Sequence, residues 1–233
     1  MVQSNYIPWK GYFDLIGSVD EFIIYDDMQY TRRDWRNRNK IKTPTGTQWL
    51  TVPVQAKGKY YQKIRDVEIV DGAWKTDHWN ALTHNYRRAI HFDRVAEILD
   101  PIYLKMKHGK LSGLNRILIE TICTYLGINT TISNSWDFAA MGDKNERLVS
   151  LCKQASASEY ISGPAAKNYL DEELFAQAGI KVTWFDYSGY PEYPQLWGDF
   201  EHHVTVLDVL FNCGPDSLHY MKTEPFQDKV TPI

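Results

Sequence analysis

A short apolar run bounded by acidic residues is the strongest constraint on the fold of this chain. Residues Glu21 to Tyr25 read Glu-Phe-Ile-Ile-Tyr, which is typical of a strand buried on both faces. Asp26 and Asp27 follow directly, so two carboxylates lie where the strand is expected to end. In open α/β sheets, ligands bind in the crevice outside the carboxyl ends of the strands. The sequence therefore predicts a ligand site at this end of the strand.

Strand-like and helix-like segments alternate along the rest of the chain. Apolar residues at helical spacing predict helices over residues 77–90, 114–126, 144–155, 171–178 and 205–211. Extended apolar runs predict strands over residues 128–133, 159–161 and 180–187. This alternation is typical of α/β folds, here a Rossmann-like layered sheet with helices. Because the chain has no internal repeat and no low-complexity linker, residues 1–233 are expected to form one domain.

One segment departs from this alternation and is strongly basic. Between Arg32 and Arg65 there are ten Lys or Arg residues and one acid, Asp34, which gives the segment a charge of +9 in a chain whose net charge is −3. Extended runs on both sides of residues 43–46 predict a basic β-hairpin excursion over about residues 32–70. A basic patch on an acidic body favours an anionic ligand such as a phosphate, a sugar nucleotide or a nucleic acid. A solvated basic hairpin is the alternative.

Amides, aromatic rings and guanidinium groups are concentrated near the N-terminus. Residues 3–13 read Gln-Ser-Asn-Tyr-Ile-Pro-Trp-Lys-Gly-Tyr-Phe, with little periodicity, as expected for a binding loop on a rigid scaffold. Residues 34–39 read Asp-Trp-Arg-Asn-Arg-Asn. Guanidinium groups match phosphate bidentately, and amides can bind the polar edge of a sugar. The predicted substrate-binding residues are Gln3, Asn5, Tyr6, Trp9, Tyr12, Asp26, Gln29, Arg36, Asn37, Arg38, Asn39 and Lys40. The alternative is a structural network in which the arginines pair with the nearby aspartates.

Two side chains are candidate proton acceptors. Asp27 would serve as a general base if a half-buried cleft raised its pKa. His84 lies on the predicted helix over residues 77–90 and shares a face with Arg88 and His91, cations that would lower its pKa. Asp26 or Asp27 is also a candidate ligand for Mg²⁺ beside a phosphate, although neighbouring strand residues point to opposite faces. An acidic turn that ends the strand is the structural alternative.

Several classes of protein lack their signatures in this sequence. Cys123, Cys152 and Cys213 are odd in number and form no Cys-x-x-Cys pair, which argues against a disulfide framework or a zinc knuckle. No metal site is predicted from the seven histidines, and no nucleotide-binding or serine-nucleophile motif is found. With no signal peptide and no apolar run of about 18 residues, the chain is expected to be cytoplasmic, without a membrane span. Residues 224–233 are expected to form a loose tail.

Long motifs spread over the chain carry a family resemblance. They are residues 5–13, 26–30, 34–39, 49–54, 160–163, 193–195 and 207–212. On these motifs the chain resembles the WbqC-like family over nearly its whole length. One departure is Ser4, where the family often has proline after Gln3, so the entry to the loop is less rigid here.

The resemblance implies a transferase of surface-polysaccharide (O-antigen) biosynthesis. By this resemblance, the expected activity is N-acylation of a nucleotide-linked amino sugar, which includes aminoacylation with an amino acid such as glycine. The expected partners are that sugar nucleotide and an activated acyl or aminoacyl donor, with nucleic acid disfavoured.

Two other functions stay open on the sequence alone. The first is a nucleotidyltransferase or an amino-acid adenylating enzyme with Mg²⁺ at Asp26 or Asp27, since Trp9-Lys10-Gly11-Tyr12 occupies the place of the His-x-Gly-His motif of nucleotidyltransferases. Both histidines of that motif are missing here. The second is a non-catalytic binding protein of polysaccharide assembly.

Overall fold

A computed structural model of the protein describes residues 1–223, and the tail predicted over residues 224–233 lies outside the described residues. The helices are α1 (Lys10–Gly17), α2 (Trp74–Tyr86), α3 (Phe92–Asp100), α4 (Leu111–Leu126), α5 (Lys144–Gln154), α6 (Glu172–Gln177) and α7 (Leu207–Cys213). The strands are β1 (Glu21–Ile24), β2 (Arg38–Thr43), β3 (Gly46–Thr51), β4 (Thr131–Asn134), β5 (Glu159–Ser162) and β6 (Lys181–Trp184). Among the helices of this part of the chain, none has both the length and the apolar character needed to cross a membrane.

The strands pair two by two. β1 pairs with β4 and β5 with β6 in parallel, whereas β2 and β3 form the predicted antiparallel hairpin. Val2 adds one parallel bridge to Ile24 at the end of β1. The fold therefore mixes helices and small sheets, as an α/β chain should, but no larger Rossmann-like sheet is found within residues 1–223. The parallel strands are only four residues long, so each offers few backbone groups to a further neighbour.

Two clusters of buried side chains form the core, and β1 lies between them. Phe22 and Ile24 pack into the larger cluster, with residues of α1, α2, α4 and α7. Ile23 and Tyr25 pack into the smaller one, with residues of α5, β5 and α6. Successive side chains of a strand point to opposite faces, so β1 is buried on both, as its composition predicted. The two aspartates follow at the carboxyl end of β1, and both are buried.

The helix predicted over residues 77–90 differs from the observed α2. It begins at Trp74, so Asp77 lies in its first turn instead of at its N-cap, which is Ala73. It ends at Tyr86, and Ile90 is 87% exposed. Because the chain turns towards α3 over residues 87–91, Arg88 and His91 do not continue the helical face of His84. The shared cationic face expected from the sequence is therefore wrong.

Candidate functional site

The N-terminal loop and the arginine-rich stretch lie against each other. The backbone N–H of Tyr6 donates to the carbonyl of Trp35 over 3.0 Å. The guanidinium of Arg36 donates to the Oδ1 of Asn5 and, over 3.3 Å, to the carbonyl of Gln3. Two segments that are distant in sequence thus pack against each other.

Asn39 fixes the shape of the N-terminal loop. Its Nδ2 donates to the carbonyls of Tyr6 and Ile7 over 3.2 and 2.7 Å. Ile7 is fully buried and has a φ of +37°, a left-handed conformation that is a genuine outlier for a β-branched residue. It also precedes Pro8, which disfavours the right-handed α conformation before it. Strained residues of this kind persist where the surroundings hold them, and they cluster at ligand sites.

A cleft of about 190 Å³ opens beside this loop. Its lining residues are Asn5, Pro8, Trp9, Trp35, Asn39 and His203. The cleft therefore presents two indole rings, two amides and one imidazole. Trp9 is held in place by Tyr187 and Tyr190, whose ring centroids lie 5.4 Å from its own. Such a mixture of apolar rings and hydrogen-bonding groups suits a small polar ring.

Two cations and a third indole continue the surface next to the cleft. The ring of Trp35 packs at a tilt of 38° against that of Trp49 of β3, with 5.4 Å between the centroids. The guanidinium carbon of Arg38 lies 4.1 Å from the ring centroid of Trp49, and the Nζ of Lys40 lies 5.2 Å from it. In the hairpin register Lys40 is opposite Trp49, which places these side chains on one face. Arg38 and Lys40 do not line the cleft themselves, but the contact between Trp49 and Trp35 connects these two cations to its wall.

Four of the predicted substrate-binding residues are occupied with contacts inside the protein or away from the cleft. Tyr6 is fully buried, and its Oη lies 2.8 Å from the Nδ1 of His78 and 2.6 Å from the Oη of Tyr103. The hydroxyl of Tyr12 donates to the carbonyl of Gln3, and the amide of Asn37 donates to the carbonyl of Val52. The polar groups of Tyr6, Tyr12 and Asn37 are therefore bound within the protein. The exposed Gln29 donates to the carbonyl of Tyr60.

Asp26 is enclosed and joins the N-terminal segment to α4. Its carboxylate accepts hydrogen bonds from the backbone N–H and the hydroxyl of Ser4, over 2.8 and 2.7 Å, and from the hydroxyl of Ser112, over 2.5 Å. Burial raises its pKa in spite of these hydrogen bonds. This position inside the core corrects the expectation of a substrate or Mg²⁺ contact. Among residues 1–223 no group of three or more His, Cys, Asp or Glu side chains could hold a metal ion.

Asp27 forms ion pairs with three cations. Its carboxylate lies 2.9 Å from Arg65, 3.1 Å from Arg147 and 3.5 Å from Lys63, and it accepts a hydrogen bond from Ser135. Burial acts to raise its pKa, but the hydroxyl and the cations together outweigh burial and lower the pKa below its ordinary value. A carboxylate of low pKa is a weak proton acceptor, which opposes the general-base role predicted for it.

The imidazole that lines the cleft is one that sequence reasoning passed over. His203 lines the cleft, and its Nδ1 lies 3.2 Å from the Oε1 of Glu201. Its pairing with His202 predicts no site, and 164 residues separate it from Asn39, so no local signal could have revealed it. His84, the histidine that the sequence favoured, is exposed on α2 and is not part of the cleft lining.

Comparison with known proteins decides the family. The model of the WbqC-like protein family matches residues 3–220. The chain belongs to the WbqC-like family. Over 223 residues it is 58% identical to the uncharacterized protein Rv1507c of Mycobacterium tuberculosis, an alignment that covers 95% of this chain and 96% of that relative. No solved structure matches the chain.

The whole cleft lies inside the matched WbqC-like region, from Asn5 to His203. A larger cleft of about 550 Å³ lies at the amino ends of β1, β4 and β5. Asp20, Glu21 and Glu159 contribute to its lining, and none of the predicted substrate-binding residues does. Its acidic groups disfavour an anionic ligand. The smaller cleft, with its cationic rim, is therefore the better candidate site of this WbqC-like protein.

Proposed function

We propose that this WbqC-like protein is an acyl or aminoacyl transferase that N-acylates a nucleotide-linked amino sugar for surface-polysaccharide biosynthesis. The observation that carries the proposal is the cleft in which two indoles and two amides lie next to Arg38 and Lys40. Rings, amides and cations match the three parts of such a substrate, which are a sugar ring, its hydroxyl groups and a diphosphate.

The sugar ring would lie between the indoles of Trp9 and Trp35. Their faces are apolar and suit the C–H groups of a pyranose. The Oδ1 of Asn5 is bound to Arg36, so its NH₂ group is oriented as a donor for a sugar hydroxyl. The Oδ1 of Asn39 accepts from the backbone N–H of Lys40 and retains a second lone pair for a hydroxyl.

The diphosphate would lie against Arg38 and Lys40 of β2. Both cations lie over the ring of Trp49, and Trp49 contacts Trp35, which lines the cleft. Arg36, the third cation predicted for this role, instead orients Asn5 and the carbonyl of Gln3. Guanidinium and ammonium groups form strong charge-assisted hydrogen bonds to phosphate oxygens.

The chemistry needs one base and no covalent intermediate on the protein. The lone pair of the sugar amine attacks the carbonyl carbon of the activated acyl donor and forms the new C–N bond. The bond to the leaving group then breaks, and the leaving group takes the electron pair. The amine gives up a proton, and we assign its acceptor to His203, the imidazole in the cleft lining. Asp27 and His84 do not line the cleft.

Calorimetry with a nucleotide-linked amino sugar, UDP-glucosamine, tests the binding half of the proposal. Arg38→Ala and Lys40→Ala should each weaken binding about tenfold or more, because each removes a charge-assisted contact. Lys153→Ala, which removes an exposed lysine on α5, is the matched control and should leave the affinity unchanged. Equal affinity in all three variants would refute the diphosphate assignment.

Acyl-transfer kinetics with the same acceptor test the base. His203→Gln should lower kcat on the order of 10²-fold or more with little change in KM, the scale expected for loss of a general base. His202→Gln removes the adjacent imidazole, which packs edge-on against Phe200 instead of lining the cleft, and should leave kcat unchanged. A normal kcat in His203→Gln would remove His203 from the mechanism.

A further inference from the structure

Away from the cleft, one carboxylate is surrounded by three cations at the carboxyl end of β1. Lys63, Arg65 and Arg147 all lie within 3.5 Å of Asp27. The fold brings them together from separate parts of the chain. The backbone N–H of Arg65 donates to the carbonyl of Asp26 over 3.0 Å, so the end of the basic excursion runs alongside Asp27. Arg147 reaches the same carboxylate from α5.

The charges in this cluster do not balance. The side chain of Asp27 is 4% exposed, whereas those of Lys63, Arg65 and Arg147 are 46%, 34% and 25% exposed. Within residues 1–223 every salt bridge of these three cations is to Asp27, which leaves a local charge of +2. One cation would suffice to compensate one buried carboxylate, and additional like charges held nearby repel one another. The excess positive charge faces solvent, where an anion can reach it.

Arg147 is held next to Asp27 by a second hydrogen bond, from its guanidinium to the carbonyl of Ala140 over 3.1 Å. One further observation points to a ligand at the cluster. Trp136, just beyond β4, is 37% exposed, and its ring centroid lies 5.5 Å from the guanidinium carbon of Arg65. β1 and β4 are parallel neighbours, so Asp27 and Trp136 leave the same edge of the pair. Ligands of open α/β sheets bind at this edge.

We propose that Lys63, Arg65 and Arg147 form a second anion site, which binds the phosphate groups of a nucleoside phosphate and places its base against Trp136. Asp27 then compensates one of the three positive charges when no anion is bound. This site does not depend on the proposed function, because the cleft has its own cations in Arg38 and Lys40.

Calorimetry of the full chain with ADP and with pyrophosphate at low salt tests the site. ADP should bind about tenfold more tightly than pyrophosphate, since stacking of a base on an aromatic ring contributes about 1–3 kcal/mol. Trp136→Leu should remove this difference. If ADP binds no more tightly than pyrophosphate to the unmodified protein, the assignment of the base to Trp136 is overturned.

Arginine variants separate this site from the cleft. Arg147→Gln should raise the Kd of both ligands about tenfold, through loss of a charge-assisted contact. Arg87→Gln is the matched control, because it removes an exposed arginine just beyond α2 on another part of the protein, and it should leave both Kd values unchanged. If Arg38→Ala abolishes ADP binding while Arg147→Gln retains it, ADP occupies the cleft and the second site is refuted.

Asp27→Asn distinguishes an anion site from a purely structural ion-pair network. Removal of the carboxylate changes the local charge from +2 to +3, so pyrophosphate should raise the melting temperature of the variant more than that of the unmodified protein. A network that serves only to bind Asp27 would instead give a variant of low stability on which pyrophosphate has no effect. That result would overturn the proposal even if Arg147→Gln folds poorly.

Discussion

Gly11 shows how single residues determine the shape of the cleft. A Cβ at this position would lie 2.4 Å from the Cζ2 of Trp9, so only glycine lets that indole pack over the start of α1. The sequence presents Gly11 as one of several glycines near aromatic residues. Glycine is required at position 11 because the indole of Trp9 packs against it. Tyr187 and Tyr190, which are distant in sequence, hold the indole in that orientation.

Gly11→Ala should destabilise the protein by about 1–3 kcal/mol, the usual cost of overpacking, and should weaken sugar-nucleotide binding through displacement of Trp9. Gly113→Ala in α4 is the matched control. No described atom lies within 4 Å of the Cβ it would add, and because Gly113 lies in the first turn of α4, alanine should gain no more than about 0.5–1 kcal/mol, the value for a helix interior. Urea denaturation measures both, and equal stabilities would show that Trp9 can move without cost.

The buried imidazole of His78, which lies 2.8 Å from the Oη of Tyr6 in the N-terminal loop, makes the stability of the protein depend on pH. It is 6% exposed, and burial lowers its pKa from 6.5 to about 4. Between these values the unfolded chain binds a proton that the folded protein does not, so the contribution of His78 to stability is complete above pH 6.5 and is lost as pH falls towards 4. The expected loss is about 3 kcal/mol. Urea denaturation from pH 7 to 4 should show that the free energy of unfolding of His78→Gln depends less on pH than that of the unmodified protein. Equal dependence on pH in the two proteins would contradict the lowered pKa of His78.

At the scale of elements, the β2–β3 hairpin positions the loop and the rim of the cleft together. Its two faces have different roles, because successive residues alternate. Asn39 faces the loop and binds its carbonyls, while Arg38 and Lys40 lie against Trp49 on the other face. The sequence predicted both the hairpin and its basic character, but not that one face would hold the strained Ile7.

Asn39→Ala should therefore weaken ligand binding more than a surface change in the same hairpin does. It releases the carbonyls of Tyr6 and Ile7, leaves buried acceptors without donors and should cost about 1–3 kcal/mol in unfolding free energy. Gln48→Ala, which removes an exposed amide from β3, is the control and should change stability by no more than about 0.5 kcal/mol. Urea denaturation and calorimetry measure the losses. Similar losses in the two variants would show that Asn39 does not hold the N-terminal loop in place.

Across the whole molecule, the two clusters of buried side chains meet at β1. Phe175 is fully buried in the smaller cluster and stacks at 5.2 Å on Tyr160. Phe211 is fully buried in the larger cluster and stacks at 4.8 Å on Tyr86. Because β1 contributes side chains to both clusters, we expect them to unfold together, as the prediction of one domain over residues 1–233 requires.

Phe175→Ala and Phe211→Ala test that prediction as a matched pair. Each should cost about 3–5 kcal/mol, and each should move a single unfolding transition, seen alike by circular dichroism and tryptophan fluorescence. Two separate transitions, with each variant moving only one of them, would show that the clusters are independent units.

Most elements could be predicted because their signals are local. The helix over residues 114–126 and the run from Glu21 to Tyr25 are observed as α4 and β1, since apolar spacing alone defines them. α4 also ends as expected at Gly127, whose φ is +69°. α2 was misplaced because Ile90 continues the helical spacing although the chain turns after Tyr86 and leaves it exposed. Periodicity cannot detect a turn whose cause is packing against another element.

By itself, the sequence determined the family, the mixture of helices and strands, and the region in which polar and cationic groups are concentrated. Only the tertiary structure decided what those groups contact. It enclosed Asp26, surrounded Asp27 with cations from two distant segments and brought His203 to the cleft. The physical reason is that burial and charge environment depend on neighbours far along the chain. A carboxylate has the same side chain in the core and in an active site, and its partners determine its role.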